Sequence, residues 1–422
     1  MSEREFDVVV FGATGVTGRQ VAAYLAERCA GDGPSWAAAA RDPAKLERIL
    51  GEVGVKAPPT IVADLNDAAS LAAMAARTRV VLNLAGPYTL YGRPVIEACV
   101  SSGAHYADLT GEIPFVRQMI DAYDARAREA GVKVVEVCGF EALPPDLAVL
   151  LAAEAARERY GEDLAEADVE VSFKGPPGMP RASDMLSGGT LQSLAAAAGG
   201  EDAGAVSDPA ALVTDPAFAA AVRRRSPITI APRRGSDGTV LAPMAPAAFI
   251  NPAVIQRTAE LSAAERGDHP EPFRYREGLA LGGGGATLPL RYAAAGMIAG
   301  VQAGVLAAAR ARPTVRKRIG RAMTKVFPSS GFGPTGERLE RWHWRLSVLG
   351  RTTGGREVSV SVDADGHPGY LATARMLGEA GLLLAEEGAT PDRAGCLTPA
   401  TALGSGSAQR FERAQMRFTV AP

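Results

Sequence analysis

The chain has 422 residues, with Lys+Arg 45 against Asp+Glu 47, a net charge of −2 and a pI near 6.2. That balance excludes nucleic acid as the main partner, because phosphate neutralisation needs a clear cationic excess. A hydrophobic share of 47% excludes global disorder, and the length predicts two or three domains.

In chain order, Met1–Glu5 leads straight into an apolar run without a signal-peptide core, which predicts a cytoplasmic protein. The four cysteines, Cys29, Cys99, Cys138 and Cys396, form no C-x-x-C pair. They are expected to be free thiols in a reducing compartment, not disulfides or zinc ligands. Val8-Val9-Val10-Phe11 is short and continuously apolar, as in a strand buried on both faces. Gly12, Gly15 and Gly18 follow at G-x-x-G-x-x-G spacing, and a helical pattern with Val21 and Leu25 on one face comes next. Strand, glycine turn and helix in this order suit a dinucleotide. Gly12 permits the tight turn, Gly15 the close approach of a pyrophosphate, and Gly18 the close helix–strand packing. The candidate diphosphate residues are therefore Gly12, Ala13, Thr14, Gly15, Val16 and Thr17.

Ser35–Ala40 is placed as the second strand, although alanine is a poor strand former. It ends at Ala39 and Ala40, with no carboxylate for a ribose 2′-hydroxyl, and Arg41 is next. A guanidinium there can pair with a 2′-phosphate, which favours NADPH. Lys45, one helical turn on, is a second candidate, and a solvated loop remains the plain alternative for Arg41. Thr60–Asp64 reads as the third strand, with Asp64 either near the adenine or starting the turn into a helix at Asp67. Arg79–Leu84 is the fourth, broken at Ala85-Gly86-Pro87-Tyr88, where small residues would admit the nicotinamide ribose. His105–Leu109 and Lys133–Val137 complete six strands alternating with helices. The expected fold class is α/β, a Rossmann-type doubly wound parallel sheet.

Beyond residue 141 the pattern changes. Asp168–Phe173 alternates as a half-buried strand does, and Lys174–Gly178 breaks it. Ser187–Leu191 opens a helix after glycines, either lining a cleft or merely capped through Thr190. Tyr292–Ala309 holds no charge over eighteen residues but is rich in Ala and Gly. It is read as a buried helix or an apolar lid, too weakly apolar to span a bilayer. Arg310–Lys325 carries seven basic residues and no acid. It is either a solvated face or a docking surface for anionic lipid or an acidic carrier protein. Arg341–Leu349 and Glu357–Val362 read as antiparallel strands, with a helix at Gly369–Ala385.

Taken together, these segments resemble the saccharopine dehydrogenase-like superfamily, in particular its trans-acting enoyl reductase branch. The matching stretches are Gly12–Gly18, Ala40-Arg41-Asp42 with Lys45-Leu46, Ala85–Tyr88 with Tyr91-Gly92, and Tyr106–Glu112. Cys138–Glu141 with Pro144 and Asp146, Gly188-Gly189-Thr190, Gly366–Tyr370 with Thr373-Ala374, and Leu397–Ala400 complete the series. The resemblance implies an NADPH-dependent reductase with a second α+β domain, reducing a C=C bond of a polyketide or lipid-like acyl chain, free or on an acyl carrier protein; a non-catalytic NADP-binding scaffold at a lipid surface and a saccharopine-type or imine reductase are the alternative readings. The first loop lacks the G-x-G-x-x-G of true saccharopine enzymes, which argues against saccharopine as substrate. The expected division is an NADP-binding domain at 1–145, a substrate domain at 146–385, and a segment at 386–422 returning to the first. Conjugate reduction also needs a proton donor. Tyr88, after the fourth strand, is the first candidate, ahead of Tyr91, Tyr106 and Glu112, and water is an alternative. Residues 292–325 are the expected site of any peripheral membrane contact.

Overall fold

The computed structural model describes residues 4–31, 33–56, 58–177, 207–235, 238–244, 246–282, 287–309 and 336–422. The Gly188-Gly189-Thr190 segment and the basic run 310–325 lie outside the described residues.

The chain first lays down β1 (Phe6–Phe11), β2 (Trp36–Ala40), β3 (Thr60–Val62), β4 (Thr78–Asn83), β5 (His105–Asp108) and β6 (Lys133–Val135). A second sheet takes β7 (Leu164–Lys174), β8 (Arg233–Arg234), β9 (Val240–Ala242), β10 (Arg274–Leu281), β11 (His343–Thr352) and β12 (Glu357–Asp365). Then β13 (Gly395–Leu397) returns to the first sheet and β14 (Met416–Val420) to the second. The first sheet is parallel throughout, in the order β13-β6-β5-β4-β1-β2-β3. Strand order reverses between β1 and β4, the place where open α/β sheets bind ligand. The second sheet is mixed, in the order β14-β12-β11-β7-β10-β9-β8.

Strand β1 shows why this layering forms. Val8 and Val10 enter one core cluster and Val9 and Phe11 the other, so both faces must be covered. The alanines of β2 divide the same way, and full burial between β1 and β3 overrides their weak strand preference. The covering helices are α1 (Val16–Arg28), α2 (Pro43–Gly51), α3 (Ala68–Ala76), α4 (Tyr88–Ser102), α5 (Ile113–Glu129) and α6 (Leu143–Tyr160). Asp42 caps α2 and Asp67 caps α3, each accepting from backbone amides of the first turn. Helix α6 is buried on most sides, and one continuous core runs from Val10 through Leu147 and Ala148 to Val348 and Val360 of the second sheet.

Later helices are α7 (Pro216–Arg225), α8 (Ala247–Arg266), α9 (Leu288–Ala309), α10 (Thr373–Ala385) and α11 (Pro399–Leu403). Helix α10 lies on the first sheet. A Cβ on Gly378 would stand 2.5 Å from the Tyr24 ring, and one on Gly381 2.9 Å from Leu82. Its Glu379 is fully buried and accepts from Tyr24 Oη at 2.6 Å, Arg410 Nε at 2.5 Å and Arg28 Nε at 3.3 Å, tying α1 to the C-terminal part of the chain. Of the two readings of 292–309, a buried helix or an apolar lid, the buried helix is corrected by α9. It is anchored along one stripe, through Ala295 and Ile298 on β9 and Gln302 Nε2 to Pro243 O at 2.8 Å, while Met297 and Val301 are each 70% exposed. Its small residues give too narrow a contact to bury the rest. Among the described residues, no helix is long and apolar enough to cross a membrane.

Candidate coenzyme site and reducing cleft

The site begins where β1 ends. Gly12 takes a left-handed φ of +88°, and a Cβ there would lie 2.8 Å from the Leu84 carbonyl carbon and 2.9 Å from the Ala85 nitrogen. Only glycine admits that approach of two backbones. Gly18 lets α1 settle on the turn, since its Cβ would stand 2.3 Å from Gly12 O. Gly15 differs: its nearest neighbour would be Gly12 O at 3.5 Å, an ordinary contact. It is the N-cap of α1, no side chain caps the helix, and the first turn carries no acid. The first amides of α1 therefore point outward unpaired, at the positive end of the helix. This cradle fits the diphosphate of a dinucleotide.

Arg41 stands exposed directly after β2, and Lys45 is exposed in the first turn of α2. Asp64 accepts from Asn66 N at 2.9 Å, which fixes the turn into α3.

At the carboxyl ends of β4 and β5 the groups are locked together. Asn83 Oδ1 accepts from Ala85 N at 3.0 Å, and Asn83 Nδ2 donates to Tyr106 Oη at 3.0 Å. The Tyr106 hydroxyl donates to Asp108 Oδ2 at 2.7 Å, and Asp108 Oδ1 accepts from Thr110 N at 3.0 Å and Val137 N at 3.2 Å. This network sets the loop Ala85-Gly86-Pro87 beside Gly12.

Facing these strand ends is an aromatic wall. The Phe140 ring, after β6, lies 5.0 Å from Trp344 and 5.8 Å from Phe173, both on the second sheet. Phe140 N donates to Thr373 Oγ1 at 3.0 Å. Gly139 permits this closeness, because its Cβ would fall 2.8 Å from Leu109 and 3.3 Å from Thr373. Leu84, Leu109, Phe140 and Phe173 are apolar and only partly buried, packed against the same core. A cavity of about 320 Å³ lies between α6 and α8, and none of these four residues lines it.

Residues 8–135 match the family described as the saccharopine dehydrogenase NADP binding domain. Over 97% of this chain and 96% of the relative, the sequence is 35% identical to a Mycobacterium tuberculosis protein provisionally named a trans-acting enoyl reductase. With the same coverage of both chains it is 34% identical to the trans-acting enoyl reductase of Mycobacterium ulcerans. The chain belongs to the trans-acting enoyl reductase family. It is an NADP-dependent oxidoreductase. Its fold is shared with saccharopine dehydrogenase (L-Glu forming) of Saccharomyces cerevisiae, with a TM-score of 0.51 over 99% of this chain and 100% of that one at 14% identity.

Within this reductase the residues singled out from sequence have different fates. Tyr88 lies at the cleft end of β4, but it is 6% exposed. Its hydroxyl donates to Asn83 O at 3.2 Å and accepts from Leu109 N at 3.3 Å. Burial, with the Asp108 charge behind it, pushes the phenol well above its usual range. The expectation that Tyr88 offers a proton meets a hydroxyl already committed to backbone partners. Tyr106 is committed in the same way to Asp108. Glu112 is committed to α4: its carboxylate accepts from Tyr88 N at 3.0 Å, Thr89 N at 2.8 Å and the Thr89 hydroxyl. This distant cap holds the Gly86–Thr89 turn, and no local sequence spacing announces it.

Other buried acids shape the field. Burial lifts Asp108 to about 7 despite its three donors, and lifts Glu136 well above the carboxylate range. Asp146, at the start of α6, is also raised to about 7 by burial. It accepts from Thr258 Oγ1 at 2.5 Å and Ala400 N at 2.9 Å, so one carboxyl joins α6, α8 and α11.

Proposed function

We propose that the protein reduces the α,β double bond of an acyl or polyketide chain carried as a thioester, presented by an acyl carrier protein. The observation carrying this reading is the partly buried wall of Leu84, Leu109, Phe140 and Phe173 beside the glycine turn, in a chain related along its length to trans-acting enoyl reductases. An apolar wall suits a hydrocarbon chain and excludes water from the reacting carbons.

Bound NADPH supplies the hydride. In this reading Gly12, Ala13, Thr14, Gly15, Val16 and Thr17 hold its diphosphate on the α1 amides. Arg41, backed by Lys45, pairs with the 2′-phosphate, Asp64 borders the adenine, and Ala85, Gly86 and Pro87 border the nicotinamide ribose. Tyr88 is then a positioning residue, bridging the ends of β4 and β5 through its hydroxyl. The coenzyme-binding unit is taken to be residues 1–145 together with α10 and β13, which cover and extend its sheet.

The test is NADPH oxidation with the trans-2-octenoyl thioester of N-acetylcysteamine. Saturable loss of NADPH with formation of the octanoyl thioester is expected, and its absence with both short and long enoyl thioesters would refute the reading. A second reading concerns where the enzyme works. Helix α9 exposes Leu290, Met297 and Val301, a face suited to peripheral contact with a lipid surface. Flotation with anionic vesicles tests it, and protein remaining in the dense fraction would exclude it.

A further inference from the structure

We propose that Glu141 is the acid that delivers the proton to the α-carbon during reduction, a role that rests on the substrate reading above. The reaction must place a proton on that carbon, and of the donors named from sequence the structure commits Tyr88, Tyr106 and Glu112 elsewhere, while Tyr91 is 40% exposed on α4. Tyr88 donates to Asn83 O, Tyr106 donates to Asp108, and Glu112 accepts two amides and a hydroxyl at α4. Asp108 is fully buried and occupied by three donors.

Glu141 stands apart from this network. It follows Phe140 in the loop between β6 and α6, at the carboxyl end of the parallel sheet, where reactive groups of such folds gather. It is half-buried, not sealed. Among the described residues its carboxyl has no ion pair and no side-chain partner, and its own amide is the donor it meets. Its neighbour Phe140 is part of the aromatic wall that would receive the acyl chain. Among the described residues Tyr88 of α4 is a titratable group facing it, and its hydroxyl senses the charges of Asp108, Glu112 and Glu141 together. Burial without a cation lifts this carboxyl above the usual range, which favours the protonated form the step requires.

Hydride adds to the β-carbon, and the electron pair of the double bond moves towards the thioester carbonyl as an enolate. The enolate then takes the Glu141 proton at its α-carbon, leaving a saturated thioester, an oxidised coenzyme and a Glu141 carboxylate that solvent reprotonates. Two electrons and one proton come from the coenzyme as hydride, and the second proton comes from Glu141.

The experiment compares wild type, Glu141→Gln and Glu141→Asp with NADPH and the octenoyl thioester, across pH. A lost general acid costs about 100- to 10,000-fold. The expected result is a kcat fall of about 100-fold or more in Glu141→Gln, partial recovery in Glu141→Asp, and unchanged NADPH affinity. Wild-type kcat should fall as pH rises through the pKa of the acid, and Glu141→Gln should lose that limb. A second readout needs no turnover. Carboxyl-carbon NMR titration, assigned by difference against Glu141→Gln, should place Glu141 above the ordinary glutamate value of ~4.3. Glu141→Gln with kcat within about twofold of wild type, or an ordinary titration, would overturn the role. Wild type inert towards every enoyl thioester would overturn the substrate reading and this role together, whereas an active wild type with an equally active Glu141→Gln removes this role alone.

Discussion

Substitutions at Gly12, Gly15 and Gly18 separate two demands that the same turn must meet. At Gly12 a side chain meets the backbone of Leu84 and Ala85 at 2.8–2.9 Å, and the φ of +88° is one that L-residues avoid. The left-handed strain alone costs about 1–2 kcal/mol. With a clash against backbone that cannot swing away, Gly12→Ala should destabilise the coenzyme-free protein by on the order of 3 kcal/mol. At Gly18 a Cβ would stand 2.3 Å from Gly12 O, so Gly18→Ala should push α1 off the turn at a similar cost. At Gly15 the nearest atom is 3.5 Å away and the backbone is extended at φ −75° and ψ 167°, which any residue adopts. Gly15→Val should therefore cost the apo protein no more than about 1 kcal/mol, the loss of a favoured N-cap residue, well short of Gly12→Ala. If a diphosphate rests on the α1 amides, however, the new side chain stands in its way, and NADPH affinity should fall by about 10- to 100-fold, roughly 1.4–2.8 kcal/mol. Urea unfolding of the apo protein and NADPH titration by fluorescence read the two quantities separately. A Gly15→Val protein that binds NADPH within twofold of wild type would refute the placement of the diphosphate, whatever its stability.

Further outcomes follow from the same geometry. Arg41→Ala should weaken NADPH by about 10-fold or more while changing NADH by less than about threefold, because only the former carries a 2′-phosphate; equal losses by calorimetry would remove Arg41 from that role. Asp146 is raised from 3.8 to about 7 by burial, so the folded state holds its proton more tightly than the unfolded chain. The associated stability is complete below pH ~4 and is lost as pH rises to about 7, a change of at most roughly 4 kcal/mol. Asp146→Asn should keep much of the contact to Thr258 and Ala400 yet lose that dependence, gaining on wild type as pH rises from ~4 to about 7 in urea unfolding. Parallel stability curves for the two proteins would contradict the assignment.

Much of the architecture was legible because it is written in local pattern. The run Val8–Phe11, the three spaced glycines and the start signal at Asp67 each act within a few residues, and the structure places a strand, a turn and a capped helix there. The alanine strand Trp36–Ala40 was legible by position, not by propensity, since its burial comes from β1 and β3. What sequence could not supply were partners chosen by the tertiary fold. Glu112 reaches back to the amides of Tyr88 and Thr89, Asp146 finds Thr258 and Ala400, and Glu379 collects Tyr24, Arg28 and Arg410. Tyr88 shows the consequence: its place at the cleft was foreseeable, but its commitment to Asn83 O and Leu109 N was not. Glu141 was visible as a motif residue and gained meaning only when its lack of a side-chain partner among the described residues was set beside the engaged groups around it. For α9, its apolar character was apparent, but the narrowness of its contact with β9 was not.

Isotope tracing follows both hydrogens that the reduction adds to the double bond. The protein is incubated in ordinary water with the octenoyl thioester and NADPH carrying deuterium at the transferable C4 position, and in deuterated water with unlabelled NADPH. One deuterium is expected at the β-carbon of the product from the coenzyme, and one at the α-carbon from solvent. Reduced product without coenzyme deuterium at the β-carbon, or no reduced product from either incubation, would contradict the proposed reduction.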